Sequence, residues 1–332
     1  MSDRISKLVL VTGAAGKVGQ HFIDHFLSDV NWAEAKIRAL CHNRQIPEGE
    51  RLTVMNGSIT NRADVARAVE GATHVVHLAT CKETPDDVID VTVKGLFWLL
   101  EECRQSDIFE RFILIGGDAS IGHFVYPRPI PVTETQKHSA YAGCYALSKV
   151  IEEVILEQYY VQYDLDGCCL RAPWIMEKDD FKCSLSFSSN VFGEPKWREL
   201  VDHHRADKYQ ATGTIPVMVD QEGNPVLRNF IHADDLITAV ITAMNHPAAR
   251  QQLFNIAMDE PVDYRKVARY LYETRGLPSV DIRTEFYSTW LDNTKAKLLL
   301  GWRPQYNLER LIDSSWGYIR SADDPRTIWY PG

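Results

Sequence analysis

The sequence lacks any apolar run near the roughly 20 residues that cross a bilayer, so no membrane span is expected. It lacks an excess of positive charge. Its 36 Lys and Arg stand against 45 Asp and Glu, a net charge of −9. Such a chain has little long-range attraction for a polyanion, and nucleic acid is not an expected partner. It lacks paired cysteine motifs. Seven cysteines, at positions 41, 81, 103, 144, 168, 169 and 183, include no C-x-x-C pair. That pattern fits reduced thiols in a cytoplasmic protein rather than a disulfide frame or a zinc ribbon. The adjacent His203 and His204 have no further ligand at coordinating spacing. They read as a solvated loop, and no metal is expected. The opening "MSDRISKLVLVTG" turns to strand almost at once, so no signal peptide is expected. No repeat with a period of about 20–50 residues is present, which excludes a solenoid.

What is present is alternation. Hydrophobic residues make up 45% of the chain and charged residues 24%, enough for an ordinary buried core. "KLVLVTG", "KIRAL", "THVVHLAT", "RFILIG" and "GCCLRAP" are short apolar runs, each bounded by turn or polar residues. Uninterrupted apolar strands of this kind belong to parallel sheets covered on both faces. Between them lie amphipathic stretches. Lys17 to Ser28 carries Val18, Phe22, Phe26 and Leu27 at helical spacing, and "RADVARAVEG" is a helix closed by glycine. Two longer helices are expected over Asp86 to Gln105 and Ala142 to Tyr163. The alternation predicts an α/β fold, a doubly wound parallel sheet with helices on both faces. After about Ala172 the regularity breaks into a Ser- and aromatic-rich loop with Phe181, Phe187, Phe192 and Trp197, which would fill a second core or, as the less favoured alternative, stack on a ligand ring. Helices return at "ADDLITAVITAMNH" and "DYRKVARYLYETRG".

"VLVTGAAGKVGQHF" sets Gly13, Gly16 and Gly19 between the first strand and its helix. One glycine allows the tight turn, one lets the backbone approach a pyrophosphate, and one lets helix and strand pack closely. The helix N-terminus then offers unpaired N–H groups and a positive dipole end to the phosphates. A dinucleotide site is expected there. Further along, "YALSK" places Tyr145 and Lys149 four apart on one helix face. A free tyrosine titrates near about 10. A lysine ammonium close by favours the phenolate and so makes the side chain a usable acid/base.

Together G-x-x-G-x-x-G, "YALSK", "HLA" at 77–79, "RNFIHADDL" and "DNTKAKLLLGWRP" resemble the extended short-chain dehydrogenase/reductase superfamily, the NAD-dependent epimerase/dehydratase family. The resemblance runs from about Lys7 to Trp316. It implies a Rossmann-type dinucleotide-binding domain over residues 1–172. Residues 173–332 would form mainly a smaller, interleaved substrate lobe, with some segments returning to the Rossmann core. Gly13, Ala15, Gly16, Lys17, Val18 and Gly19 would wrap the cofactor phosphates. Leu78, Ala79 and Thr80 would also face the cofactor, with Pro173, Ile175, Tyr145 and Lys149 at the nicotinamide end. Ser58 and Ile59 stand where the family carries an Asp–hydrophobic pair against adenine. NAD-selective members end the second strand in an acidic residue, but this chain has Cys41, then Asn43 and Arg44. NADP is therefore slightly favoured over NAD, with Arg44 as the partner of a 2′-phosphate.

One family feature is missing. The fifth strand normally ends in a hydroxyl residue that polarises the substrate oxygen, and here that place is Gly117. Asp118 follows, but Ala119 replaces the Glu of the family's dehydratases. Three explanations stay open: Ser120 takes the role, Asp118 binds substrate hydroxyls instead, or Gly117 makes room for a bulkier substrate. Trp174, Asn190 and Arg228 are further expected substrate contacts, the last at the place where sugar-nucleotide members hold a diphosphate. The resemblance implies an NAD(P)-dependent oxidoreductase acting on a carbohydrate-like hydroxyl or carbonyl, with a sugar-nucleotide epimerase and a non-catalytic dinucleotide sensor as alternatives. It also implies a homodimer through the two long helices, with Val93, Phe97 and Leu100 on one and Val150, Val154 and Ile155 on the other.

Overall fold

A computed structural model describes residues 7–191 and 193–324. The first half alternates strand and helix: β1 (Leu8–Thr12), α1 (Lys17–Ser28), β2 (Lys36–Cys41), β3 (Leu52–Asn56), α2 (Arg62–Val69) and β4 (His74–His77). There follow α3 (Pro85–Val88), α4 (Gly95–Cys103), β5 (Arg111–Gly117), α5 (Cys144–Tyr163) and β6 (Gly167–Ala172). The second half holds β7 (Trp174–Met176), α6 (Asp180–Ser184), α7 (His203–Thr212), β8 (Ile215–Val219), β9 (Leu227–Arg228), β10 (Phe230–His232) and α8 (Ala233–Asn245). It ends with β11 (Gln252–Asn255), β12 (Val262–Asp263), α9 (Tyr264–Arg275), β13 (Ser279–Arg283), α10 (Thr294–Leu300) and α11 (Leu308–Gly317).

Seven parallel strands form the central sheet in the order β11-β6-β5-β4-β1-β2-β3. This is the α/β, Rossmann-type doubly wound sheet expected from the apolar runs. Its strand order reverses between β1 and β4, and the crevice beyond their carboxyl ends is where such sheets bind ligands. Strands β4, β5 and β6 are buried along their whole length. One face packs α1 and α8 through Phe22, Phe26, Leu236 and Val240. The other packs α2, α4 and α5 through Val65, Leu99, Leu100 and Leu156. A separate core of Phe181, Phe187, Trp197, Phe230 and Leu271 holds the second half together. Phe192 lies outside the described residues. Two segments from beyond Ala172 return to the sheet: β11 pairs with β6, and α8 packs on α1.

Several local expectations need correction. The helix read over Asp86 to Gln105 is broken into α3 and α4 by a π-helical segment, Ile89–Lys94. His203 and His204 are not in a loop: they open α7, whose N-terminus is capped by Asp202. The strand β3 escaped the periodicity because it is a sheet edge, with only Leu52 buried. Leu100 faces the core with no exposed surface, so it is not part of an intersubunit face. All seven cysteines are free thiols. Among the described residues, no helix is long and apolar enough to cross a membrane.

Candidate active site

The turn after β1 is built for close approach. Gly13 has φ +68, and a Cβ there would lie 2.7 Å from the Ala79 nitrogen. A Cβ on Gly19 would lie 2.4 Å from the Gly13 carbonyl oxygen, so α1 can meet the turn only through glycine. Gly16 caps α1 without a side-chain hydrogen bond. The amides of Lys17, Val18 and Gly19 in the first turn have no intrahelical acceptor. A cradle of bare backbone at a helix N-terminus suits a diphosphate, so the residues present fit a dinucleotide. Thr12 secures the next wall. Its Oγ1 donates to His77 Nδ1 at 2.7 Å and accepts from the amides of Leu78 and Ala79. Burial pushes the His77 imidazole down to about 3, so it is neutral and can accept that bond.

The other residues expected at the cofactor are placed as follows. Ala15 packs against the core beside the turn. Lys17 donates to the Ile175 carbonyl at 2.9 Å and pairs with Asp180 at 3.0 Å, so it links α1 to the segment after β6. Pro173 stands between β6 and β7 in that segment. Asn43 and Arg44 lie in the bend after β2, whose last residue, Cys41, is buried. The Ser58 amide is held by Asp64, and Ile59 packs under Gly95 in the core. Thr80 follows β4 and its hydroxyl bonds the Cys81 carbonyl.

Tyr145 and Lys149 sit in the first two turns of α5, against the end of β5. Gly117 faces them: a Cβ there would lie 3.6 Å from the Tyr145 Oη and 3.7 Å from the Lys149 Cδ. The position without a hydroxyl is therefore the one opposite the tyrosine. The Lys149 ammonium donates to the Ile115 carbonyl at 3.3 Å and pairs with Glu152 at 2.8 Å. Burial alone would lower the Lys149 pKa, but the charges of Glu152 and Tyr145 outweigh it and raise it. Glu152 has no exposed side-chain surface, and burial raises its pKa against the pull of Lys149. A second cation lies close: Lys82 Nζ is 4.0 Å from the Tyr145 ring centre, compared with 5.7 Å for Lys149. Glu83, the next residue, accepts from the Tyr145 amide and so caps α5. Lys82, Glu83 and Glu152 were not read from the sequence. Nothing in a K-E pair after a strand, or in a Glu at helical spacing, separates them from a solvated surface.

The two polar residues after Gly117 have other partners. They lie in a 3₁₀ turn, Asp118–Ile121, and both are buried. Ser120 donates to Glu153 Oε1 at 2.8 Å. Glu153 also pairs with Arg171 at 2.6 Å and His138 at 2.9 Å, about two helical turns beyond Tyr145. Asp118 lies 2.5 Å from His123 Nδ1, and its side chain is only 6% exposed. His123 takes a left-handed φ of 46 and stacks on Tyr141, with ring centres 5.2 Å apart. The carboxylate thus stands beside the His123 ring, with its Oδ1 buried.

Arg228 is buried among rings. Its guanidinium is 4.1 Å from the Phe124 ring centre and 4.3 Å from that of Trp174, and it donates to the Glu194 carbonyl at 2.5 Å. Trp174 stacks on Phe230 across the β7–β10 pair. Asn190 is exposed in a turn, where its amide bonds Ser188.

A dinucleotide cradle and a Tyr–Lys pair at one edge of a Rossmann-type sheet define an enzyme of the extended short-chain dehydrogenase/reductase type. The chain belongs to the NAD dependent epimerase/dehydratase family, whose model matches residues 9–257. The UDP-glucose 4-epimerase of Mycolicibacterium smegmatis is 25% identical over 335 residues, covering 94% of this chain and 98% of the relative. A short-chain dehydrogenase/reductase superfamily protein from Agrobacterium tumefaciens, solved with bound NAD, superposes with a TM-score of 0.75 at 20% identity, covering 93% of this chain and 95% of that one. The Thermotoga maritima UDP-glucose 4-epimerase, solved with UDP-glucose, gives 0.72 at 20% identity, covering 94% and 98%.

Proposed function

We propose that the protein moves a hydride to or from a carbinol carbon of a carbohydrate-like substrate, with Tyr145 as the acid/base. The observation that carries this reading is the placement of Tyr145 and Lys149 opposite Gly117, at the same sheet edge as the glycine cradle. The nicotinamide supplies the hydride chemistry. Tyr145 exchanges a proton with the substrate oxygen, and the Lys149 and Lys82 ammoniums supply positive charge beside it. Lys149 is held in place by the Ile115 carbonyl and by Glu152. Asp118 acts through His123, whose ring and that of Tyr141 wall the substrate side. Arg228 is assigned to an anionic part of the substrate, with Trp174 as a stacking wall.

The relatives named as UDP-glucose 4-epimerases favour a second reading, in which the substrate is a sugar nucleotide and the keto form is reduced again on its other face. Loss of water is disfavoured because Ala119 supplies no acid. Cys41 leaves no carboxylate at the end of β2, and Arg44 follows, so the lean is to NADP. We also propose a two-fold dimer through α4 and α5, where Phe97 is 44% and Val154 39% exposed.

The test is purification followed by cofactor analysis, then turnover against sugars, sugar acids and sugar nucleotides. Net formation of NADH or NADPH supports the dehydrogenase. Tightly held cofactor with interconversion of two sugar nucleotides supports the epimerase. Tyr145→Phe with wild-type turnover would overturn both.

A further inference from the structure

A group of side chains behind the glycine helix has no part in that chemistry. His21 and His25 lie one turn apart on α1, and both face Asp234 in the first turn of α8. His25 Nε2 is 3.3 Å from Asp234 Oδ1, and His21 Nδ1 is 3.5 Å from the same oxygen. One ligand atom from each of the three residues can be chosen so that all lie within 4.8 Å of one another. Ligands about 2.0–2.1 Å from a tetrahedral zinc ion stand roughly 3.4 Å apart. The two short separations already have that value.

The surroundings complete the argument. Glu177, just after β7, accepts from His21 Nε2 and is 8% exposed. That contact holds the ring with Nδ1 turned towards Asp234. A carboxylate behind a histidine in this way orients metal-bound imidazoles and raises their basicity. Asp234 is held from behind: the Tyr306 hydroxyl donates to its other oxygen, Oδ2, at 3.3 Å, and its backbone amide donates to His232 Nδ1 at 3.2 Å. Oδ1 is thereby turned towards the two imidazoles. His25 and Asp234 are 39% and 36% exposed, so an ion has a path in and a solvent ligand has a place.

We propose that His21, His25 and Asp234 form a binding site for a divalent transition metal of the zinc class, with Glu177 as the carboxylate behind His21. Two imidazoles and one carboxylate suit zinc, cobalt or nickel, whereas magnesium and calcium prefer all-oxygen sites. The site joins α1, which carries the phosphate cradle, to α8 and to the segment after β7. A bound ion fastens the glycine helix to the second half of the chain. The competing arrangement is an imidazolium at His21 shared between the two carboxylates, and it leaves no lone pair for an ion.

Cobalt(II) titration of the full chain tests this, because cobalt reports its ligands in the visible spectrum. One equivalent should bind with ligand-field bands and no thiolate charge-transfer band, and zinc should displace it. His25→Ala should weaken cobalt binding at least tenfold. The paired variant His203→Ala and His204→Ala should leave it unchanged. Zinc should raise the melting temperature of the wild type and not that of His25→Ala. Absence of ligand-field bands at millimolar cobalt overturns the site and favours the imidazolium. So do bands that persist in His25→Ala, or a thiolate band that assigns the metal to cysteine.

Discussion

Gly117 decides most at the scale of single residues. A Cβ at 117 would meet the Tyr145 oxygen at an ordinary contact distance, 3.6 Å. Gly117→Ser should therefore fold with unchanged stability. Its hydroxyl would occupy the space in front of Tyr145, and if the glycine is there to make room for substrate, KM should rise severalfold in steady-state kinetics. A rise in turnover at unchanged KM would mean instead that the chemistry simply lacked a donor. Tyr145→Phe should cost turnover by about 10²–10⁴-fold, the usual worth of acid/base catalysis, while cofactor affinity by fluorescence titration stays within a factor of two or so. Lys82 makes a separate case. If its charge, 4.0 Å from the Tyr145 ring centre, supports the phenolic oxygen, Lys82→Met should lower kcat and move the alkaline optimum of the pH profile upward. A purely structural role would lower stability and leave the profile in place.

Elements set the next scale, and here β5, β6 and α5 are joined by buried charge. Glu153 of α5 accepts from Ser120, Arg171 and His138. Burial would push the Glu153 pKa up, but His138 and Arg171 outweigh it and hold it at about 2, below the ordinary 4.5. A depressed carboxylate contributes stability that is fully present above about pH 4.5 and is lost as pH falls towards 2. Glu153→Gln removes one partner of a buried pair whose arginine is 1% exposed, which costs about 3–5 kcal/mol. Denaturant unfolding at pH 7 should show that loss, and the gap between wild type and variant should close towards pH 2. The glycine helix makes a second element-scale case. A Cβ on Gly19 would stand 2.4 Å from backbone, so Gly19→Val must push α1 away from β1, and dinucleotide affinity should fall more than tenfold.

For the whole molecule, the question is what covers the outer side of α4 and α5. Phe97, Leu147 and Val154 are exposed there, at 44%, 52% and 39%. Light scattering at micromolar protein should give a dimer mass, and Val154→Glu should give a monomer with the fold intact by circular dichroism. A wild-type monomer would remove the dimer from the account.

Local geometry was legible in the order of the residues. The strand–helix alternation came through because buried parallel strands are continuously apolar, and the tight turn after β1 because only glycine tolerates the backbone contacts at 13 and 19. The Tyr145–Lys149 pair was legible because helical spacing alone puts two side chains on one face. The edge strand β3 and the π-helical break in the long helix were not. An edge strand need not be apolar, and no glycine or proline within Ile89–Lys94 marks the break. Only the tertiary structure decided that Gly117 looks at Tyr145, that Ser120 belongs to Glu153, and that Asp118 leans on His123. The same holds for Lys82 beside Tyr145 and for His21 and His25 beside Asp234, which stands 209 positions beyond His25. Pairs so far apart in the chain meet only because the sheet brings their elements together. Their charge and exposure come from that meeting, which no local pattern encodes.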